Sequence, residues 1–285
     1  MKARTLRSGS LIAIRRTDVT LPGFLHCGMH RYSSAHIPIP EHAHTGAVEL
    51  CYLSSGHQII DNGDERYEMR GNDVLITKPG VLHGSSEEPA EKCALYHVAV
   101  SEKPPLLGFD TADAKAILRA LSSATRIFFP GNARMKTLFD DAFCAFRDKT
   151  PFYRSIIAIR IMDLLLEVVS AMPQREKKAV PEAVARAMRF ADEHIGEPID
   201  TPQMARAAGV SVPQMKRLFA SEVGIPPKEF ILRRKIDRAK EMLAAKRMPV
   251  TDIGLALGFS SSQHFATIFK RYAGVRPVDF RKKRT

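Results

Sequence analysis

Four residues in the first third of the chain carry donor atoms at spacings that suit one shared ligand. His42 and His44 are separated by a single residue, Glu49 follows, and His83 comes after Pro79-Gly80. Residues two apart in a strand project to the same face, so both imidazoles of His42-x-His44 are expected on one strand face, with Glu49 and His83 converging on them. Three imidazoles and a carboxylate can hold iron, manganese, nickel or zinc. Without metal, the same groups can bind an organic molecule or serve structure alone. Arg31, Tyr52 and His97 are weaker candidates for this pocket, and each reads more simply as an ordinary half-buried strand residue.

A different chemistry stands in the last third. Ser262, Gln263, His264, Thr267, Lys270 and Arg271 share one polar and basic helical face, and about fifty residues earlier so do Pro213, Gln214, Lys216 and Arg217. Lys216 and Arg217 can bond guanine O6 and N7, and Gln214 or Gln263 can pair with adenine. Ser262, His264 and Thr267 suit base edges or thymine methyls, and Lys270 and Arg271 suit phosphate. A basic helical face alone is more often a solvated surface. What sets these two apart is that they recur in a repeat.

The second copy runs from Ile253 through the turn glycine Gly258 and Phe259 to Phe265, Ile268, Phe269 and Tyr272. It reads as helix, tight turn, helix. The first has Met204-Ala205, Gly209, Ser211, Met215, Phe219 and Gly224. Gly224-x-x-Pro227-x-x-Phe230 matches Gly274-x-x-Pro277-x-x-Phe280, and the second copy has one extra residue between its turn glycine and its phenylalanine. Seven helices are expected here. One of them, Pro227 to about Ala245, joins the copies and at 1.5 Å per residue spans roughly 28 Å. One duplex turn is about 34 Å, so the two reading helices can enter successive major grooves on one face of DNA.

On Arg234, Ala239, Leu243, Ile253, Gly258-Phe259, Phe265, Phe269-Lys270, Gly274, Pro277 and Phe280-Arg281, residues 181 to 285 resemble the DNA-binding domain of the AraC (arabinose-regulator) family of transcription factors. Gly254 stands where that family usually has alanine, and His264 where it often has an aromatic. The resemblance implies a cytoplasmic regulator of the activator kind. Its partners would be promoter DNA, RNA polymerase, a second copy of the chain and a small-molecule effector.

The charge distribution agrees. The net charge is +12, and from Pro181 onward twenty Lys and Arg face eleven Asp and Glu, an excess of nine. That is where phosphate neutralisation is needed. Cys27, Cys51, Cys93 and Cys144 form no Cys-x-x-Cys pair, against a zinc knuckle or disulfide framework. No signal peptide or membrane-spanning run is visible.

Residues 21 to 100 read as short strands, the best being Val48–Leu53, Gln58–Ile60, Arg66–Met69, Val74–Thr77 and Leu95–Val100, with a hairpin at Asn62-Gly63. Residues 1 to 20 are either a first strand or an arm. The His42-x-His44, Glu49, Gly56 and Gly71, Pro79-Gly80, His83 spacings resemble the two motifs of the cupin superfamily. The second motif departs at Lys78, where proline is usual, and Gly71 is displaced by one residue. Helices follow at Ala112–Leu121, Ala133–Arg147 and Phe152–Ala171. In the last, the stripe Ile156, Ile159, Met162, Leu166 and Val169 suits packing on the barrel or a dimer helix. Residues 173 to 181, bracketed by prolines, read as a linker.

The expected architecture is α+β with two domains. Residues 1–172 form a cupin-like β-barrel (jelly roll) with following helices, for effector binding and dimerisation. After the linker, residues 182–285 form an all-α domain with two helix-turn-helix units. The expected function is a sequence-specific, effector-responsive transcription regulator and not an enzyme. The effector would be a molecule such as a sugar or small acid held by Arg31, His42, His44, Glu49 and His83. No cofactor is required, though His42, His44, Glu49 and His83 could bind a divalent metal. The rivals are a metal-dependent cupin enzyme fused to a DNA-binding domain, and a constitutive DNA-binding dimer with no effector.

Overall fold

The computed structural model describes residues 4–6, 9–35, 38–85, 92–172, 181–245 and 247–283. Two compact units emerge, one of residues 1–33 and 38–178 and one of residues 34–37 and 179–285. The expected linker lies outside the described residues except for Pro181.

The first unit runs β1 (Arg4–Leu6), β2 (Gly9–Arg15), a short helix α1 (Arg16–Val19), β3 (Phe24–Tyr32), β4 (Ala47–Asn62), β5 (Glu65–Arg70), β6 (Asp73–Thr77), β7 (His83–Gly84) and β8 (Cys93–Ser101). Then come α2 (Ala112–Ser122), β9 (Phe128–Pro130), α3 (Ala133–Asp148) and α4 (Tyr153–Ala171). The sheet order is β1-β2-β3-β8-β4-β6-β9, and β5 and β7 pair with the far half of β4. Every pairing is antiparallel.

Two strands were expected between residues 48 and 60; there is one, of sixteen residues. Ser54-Ser55-Gly56 reads as a turn, but Gly56 bends the strand without ending it. Its φ is +95°, and a Cβ there would lie 2.4 Å from the Lys92 carbonyl oxygen, so only glycine fits. The register with β8 shifts beside it, between Leu53 and Ser55. β4 therefore serves both layers of the barrel. The hairpin forms as expected: Asn62 pairs with Glu65, and Gly63 turns with φ +63°.

Alternation along the strands sorts side chains to two faces. Cys27 and Met29 of β3, Val48, Leu50 and Tyr52 of β4, and Tyr96, Val98 and Val100 of β8 pack against α2, α3 and α4 in the main core. The opposite face carries Tyr32, Cys51, Leu53 and Leu95, which join Ile60, Met69 and Leu75 in a smaller cluster inside the barrel. Tyr52 belongs to the helix-packed face, with its hydroxyl donating to Asn72, so it is no pocket residue. Helix α4 buries Ile157, Ile161, Leu164, Leu165 and Val168. The expected stripe is its neighbouring face, with Ile159 (48%) and Leu166 (45%) exposed.

The second unit has seven α-helices among the described residues: α5 (Glu182–Glu193), α6 (Thr201–Ala208), α7 (Val212–Leu218), α8 (Pro227–Ala245), α9 (Val250–Ala256), α10 (Ser262–Ala273) and α11 (Pro277–Lys283). α7 continues through a π turn, Phe219–Val223. Asp200 caps α6 by accepting from the Gln203 N–H, with Pro202 in the first turn. Two separate cores result. Met204, Met215, Phe219, Phe230 and Ile231 build the first, and Ile236, Leu243, Ile253, Phe265 and Phe269 the second. α8 supplies residues to both.

Candidate functional site

Inside the barrel, Glu49 is a buried hub. Its Oε2 lies 2.5 Å from His83 Nε2 and 3.3 Å from His44 Nε2, and its Oε1 lies 3.1 Å from His97 Nδ1. The His42 ring lies tilted against that of His83 and edge-on to that of His44, with ring centroids 4.2 and 5.0 Å apart. His26 extends the array, 5.0 Å from His44 and 5.2 Å from His97, and His30 lies 5.3 Å beyond His97.

His42 and His44 are not on a strand. They sit in the loop before β4, where Pro38 and Pro40 lack the N–H groups that a ladder needs. His42 instead forms an isolated bridge with His83, each N–H donating to the other's carbonyl at 2.9 Å. Glu49 faces inward because it alternates with core-packed Val48 and Leu50. Arg31 is a correction. It is exposed on the face of β3 that carries Cys27 and Met29, one residue out of phase with His26, Gly28 and His30. A one-residue offset in a strand reverses the face. His26 and His30 were missed, and the signal for them was the period-two run His26-x-Gly28-x-His30.

The electrostatics follow from this crowding. Burial alone would raise the Glu49 carboxyl, but contacts from His44, His83 and His97 outweigh it and hold the group well below the carboxylate range. For His83, burial pulls down, yet the Glu49 hydrogen bond prevails and the imidazole is raised. Burial, assisted by the neighbouring His97 ring, pushes His26 down to about 4, so it is neutral at pH 7.

The cupin-type quartet fits a metal ion. The Nδ1 atoms of His42 and His83 lie 2.9 and 3.0 Å from the carbonyls of Pro40 and Val81. Donation to a carbonyl leaves the Nε2 lone pair of His42 for a ligand, the arrangement usual behind metal-bound histidines; His83 Nε2, now bonded to Glu49, would offer its lone pair on giving up that proton. His44 Nε2 is buried, and its one polar neighbour among the described residues is Glu49 Oε2 at 3.3 Å, an ion-pair contact rather than a well-formed hydrogen bond. Donor atoms of His42, His44, Glu49 and His83 all lie within 4.8 Å of one another.

His97 depends on Gly28. A Cβ at residue 28 would lie 2.2 Å from His97 Nε2. Gly28→Ala is therefore expected to displace the ring from Glu49 and destabilise the barrel by about 1–3 kcal/mol, as overpacking does. Denaturant unfolding and the His97 imidazole NMR signal check this. An unmoved signal would place the ring elsewhere.

In the second unit the two reading helices start alike. Ser211 caps α7 by accepting from the Gln214 N–H, and Ser261 caps α10 by accepting from the His264 N–H. Gly209 and Gly258 end the preceding helices with φ +69° and +65°, and Gly224 and Gly274 end the reading helices with φ +74° and +73°. These left-handed positions are why glycine recurs at each point of the repeat. Gly254, where the family usually has alanine, abuts Phe265: a Cβ there would lie 2.9 Å from the Phe265 Cβ.

Pro213, Gln214, Lys216, Arg217, Ser262, Gln263, His264, Thr267, Lys270 and Arg271 are all exposed. The Thr267 hydroxyl donates to the Gln263 carbonyl at 2.9 Å, leaving its methyl as the outward surface. His264 is held by Ser260 at 3.1 Å and by the Phe259 ring edge. Basic residues of α8 are used internally: Arg234 binds Asp192 at 2.6 Å, and Lys235 donates to the Glu197 carbonyl at 2.7 Å. Lys216 and Arg217 have no such side-chain partner among the described residues.

A profile of the AraC-like ligand binding domain matches residues 26–183, and a helix-turn-helix domain profile matches residues 204–283. The arabinose operon regulatory protein of Salmonella typhimurium is 25% identical over 231 residues, covering 79% of this chain and 80% of that one. Its namesake from Escherichia coli is 24% identical, covering 79% and 77%. Among solved structures, an AraC-type DNA-binding domain-containing regulator from Chromobacterium violaceum is 31% identical. It covers 36% of this chain and 92% of that chain, with a TM-score of 0.35. With more than half of its length inside the first match, the chain belongs to the AraC family of transcription regulators, joining an N-terminal ligand-binding domain to a C-terminal helix-turn-helix DNA-binding domain.

Proposed function

We propose that the chain is an effector-responsive activator that acts as a homodimer and touches RNA polymerase when bound at a promoter in the cytoplasm. It is a regulator and not an enzyme. The observation that carries the DNA-reading half is the pair of Ser-capped helices, each on its own core and both tied to α8. The exposed Ile159 and Leu166 on α4 support a helix-to-helix dimer.

The effector site is the barrel interior around Glu49, lined by His42, His44 and His83 and widened by His26 and His97. Imidazoles that can donate or accept, beside one carboxylate, suit an oxygen-rich molecule such as a sugar or small acid. The names of the arabinose relatives, and of a xylose operon regulatory protein of Escherichia coli, point toward sugars. A metal held by His42, His44, Glu49 and His83 would supply a Lewis-acid anchor for an effector oxygen. That donor set also favours a second reading, a metal-dependent enzyme, which turnover of a candidate substrate would reveal. Effector binding changes DNA engagement only if the two conformational states bind it unequally.

His44→Ala is expected to abolish the effector response at unchanged basal DNA affinity. An induction curve overlaying the wild type at equal protein level would refute the site. On the DNA side, Lys270→Ala is expected to weaken all sequences alike and reduce the salt slope by about one. Arg217→Ala is expected to relax preference at one or two base pairs, at about 1–3 kcal/mol per lost bidentate contact. Equal losses on specific and random DNA would assign Arg217 to phosphate.

A further inference from the structure

We propose that His26, His97 and the Oε1 oxygen of Glu49 form a transition-metal site of their own, separate from the quartet of His42, His44, Glu49 and His83. One donor atom from each of the three lies within 4.8 Å of the others. The Glu49 Oε1 to His97 Nδ1 separation is 3.1 Å. Metal–ligand bonds of about 2.0–2.1 Å at tetrahedral angles place neighbouring donors about 3.3 Å apart, so this edge is nearly of the required length. The His26 ring, centred 5.2 Å from that of His97, has no hydrogen bond to either nitrogen among the described residues.

Each oxygen of Glu49 thus addresses a different set of imidazoles: His83 and His44 at Oε2, His97 at Oε1. With both sets filled, the carboxylate bridges two ions. Gly28 is part of the design, because any Cβ there would occupy the space of the His97 ring. Behind it, His30 is fixed through Nδ1 at 3.1 Å from the Tyr32 hydroxyl. Two imidazoles and one carboxylate suit zinc, nickel, cobalt or copper, and not calcium or magnesium, which take oxygen ligands. Three protein ligands leave a coordination position for water or for an oxygen of the effector. The inference goes beyond the proposed effector pocket and does not need the quartet to be filled.

The test is cobalt(II) binding to the metal-stripped full chain. It is read as ions retained per chain by elemental analysis after gel filtration, and as visible d–d absorption. The wild type is expected to retain an ion that His26→Gln and His97→Gln each lose, a drop of about one per chain, and that His42→Gln keeps. Wild-type protein also reports without substitution: cobalt should shift the His26 and His97 imidazole NMR signals. The site is overturned if the wild type retains no cobalt, if His26→Gln and His97→Gln retain as much cobalt as the wild type, or if those signals do not move. Sugar-dependent DNA binding measured in chelator scores the effector pocket separately, so that reading can survive a negative cobalt result.

Discussion

Phe265→Ala is expected to remove the second reading helix from DNA while leaving the first in place. Phe265 is fully buried, with its ring 5.3 Å from that of Phe259 and 5.7 Å from that of Phe269. Losing a buried phenyl costs about 3–5 kcal/mol. The second core is small, and through Phe269 this ring also supports Phe280, whose ring lies 5.5 Å from that of Phe269. The first core shares none of its buried residues with the second, so Met215 and Phe219 keep α7 in position. Affinity should fall on every sequence, and base preference should survive only in the half-site read by Gln214, Lys216 and Arg217. Binding-site selection with the variant checks this; an unchanged full-length site would show that the two cores do not stand independently.

Glu49→Ala is expected to have the largest effect in the barrel. Removing one partner from a buried ionic network costs about 3–5 kcal/mol, and here three imidazoles lose the same partner. The pH dependence carries a signature. The Glu49 carboxyl is held below its ordinary 4.5, so its contribution is present above pH 4.5 and is lost as pH falls through the depressed folded value. The His83 imidazole is raised above its ordinary 6.5, so its contribution is present below pH 6.5 and is lost as pH rises through the folded value. Both operate between these limits, and the barrel should be most stable there. Glu49→Ala should flatten that maximum, as seen by denaturant unfolding across pH, while DNA affinity stays near wild type. An equally peaked profile in the variant would remove Glu49 from its role as hub.

The DNA-binding unit was legible because its signals are local. A left-handed glycine, a serine cap and a proline opening recur at Gly209 and Gly258, Ser211 and Ser261, and Pro227 and Pro277, and each acts on backbone no more than a few residues away. The barrel was less legible because its order is made by partners distant in sequence. β3 has glycine at its centre and histidine at two inward positions, which hides it from strand propensity; its register with β8, placing Gly28 opposite His97, explains both. Gly56 looked like a strand end and proved to be a bend inside β4. Arg31 looked like a pocket residue by chemistry, and strand phase put it on the other face. Glu49 and His83 were found from spacing, but the sharing of one carboxylate among His44, His83 and His97 needed the β4–β8 pairing.

The central claim is that one chain reads two successive major grooves, and a hydroxyl-radical footprint on DNA selected from random sequence tests it most directly. With both reading helices engaged and joined by the 19-residue α8, each chain should protect two segments about 10 bp apart on one face of the duplex. A single protected segment per chain would contradict it.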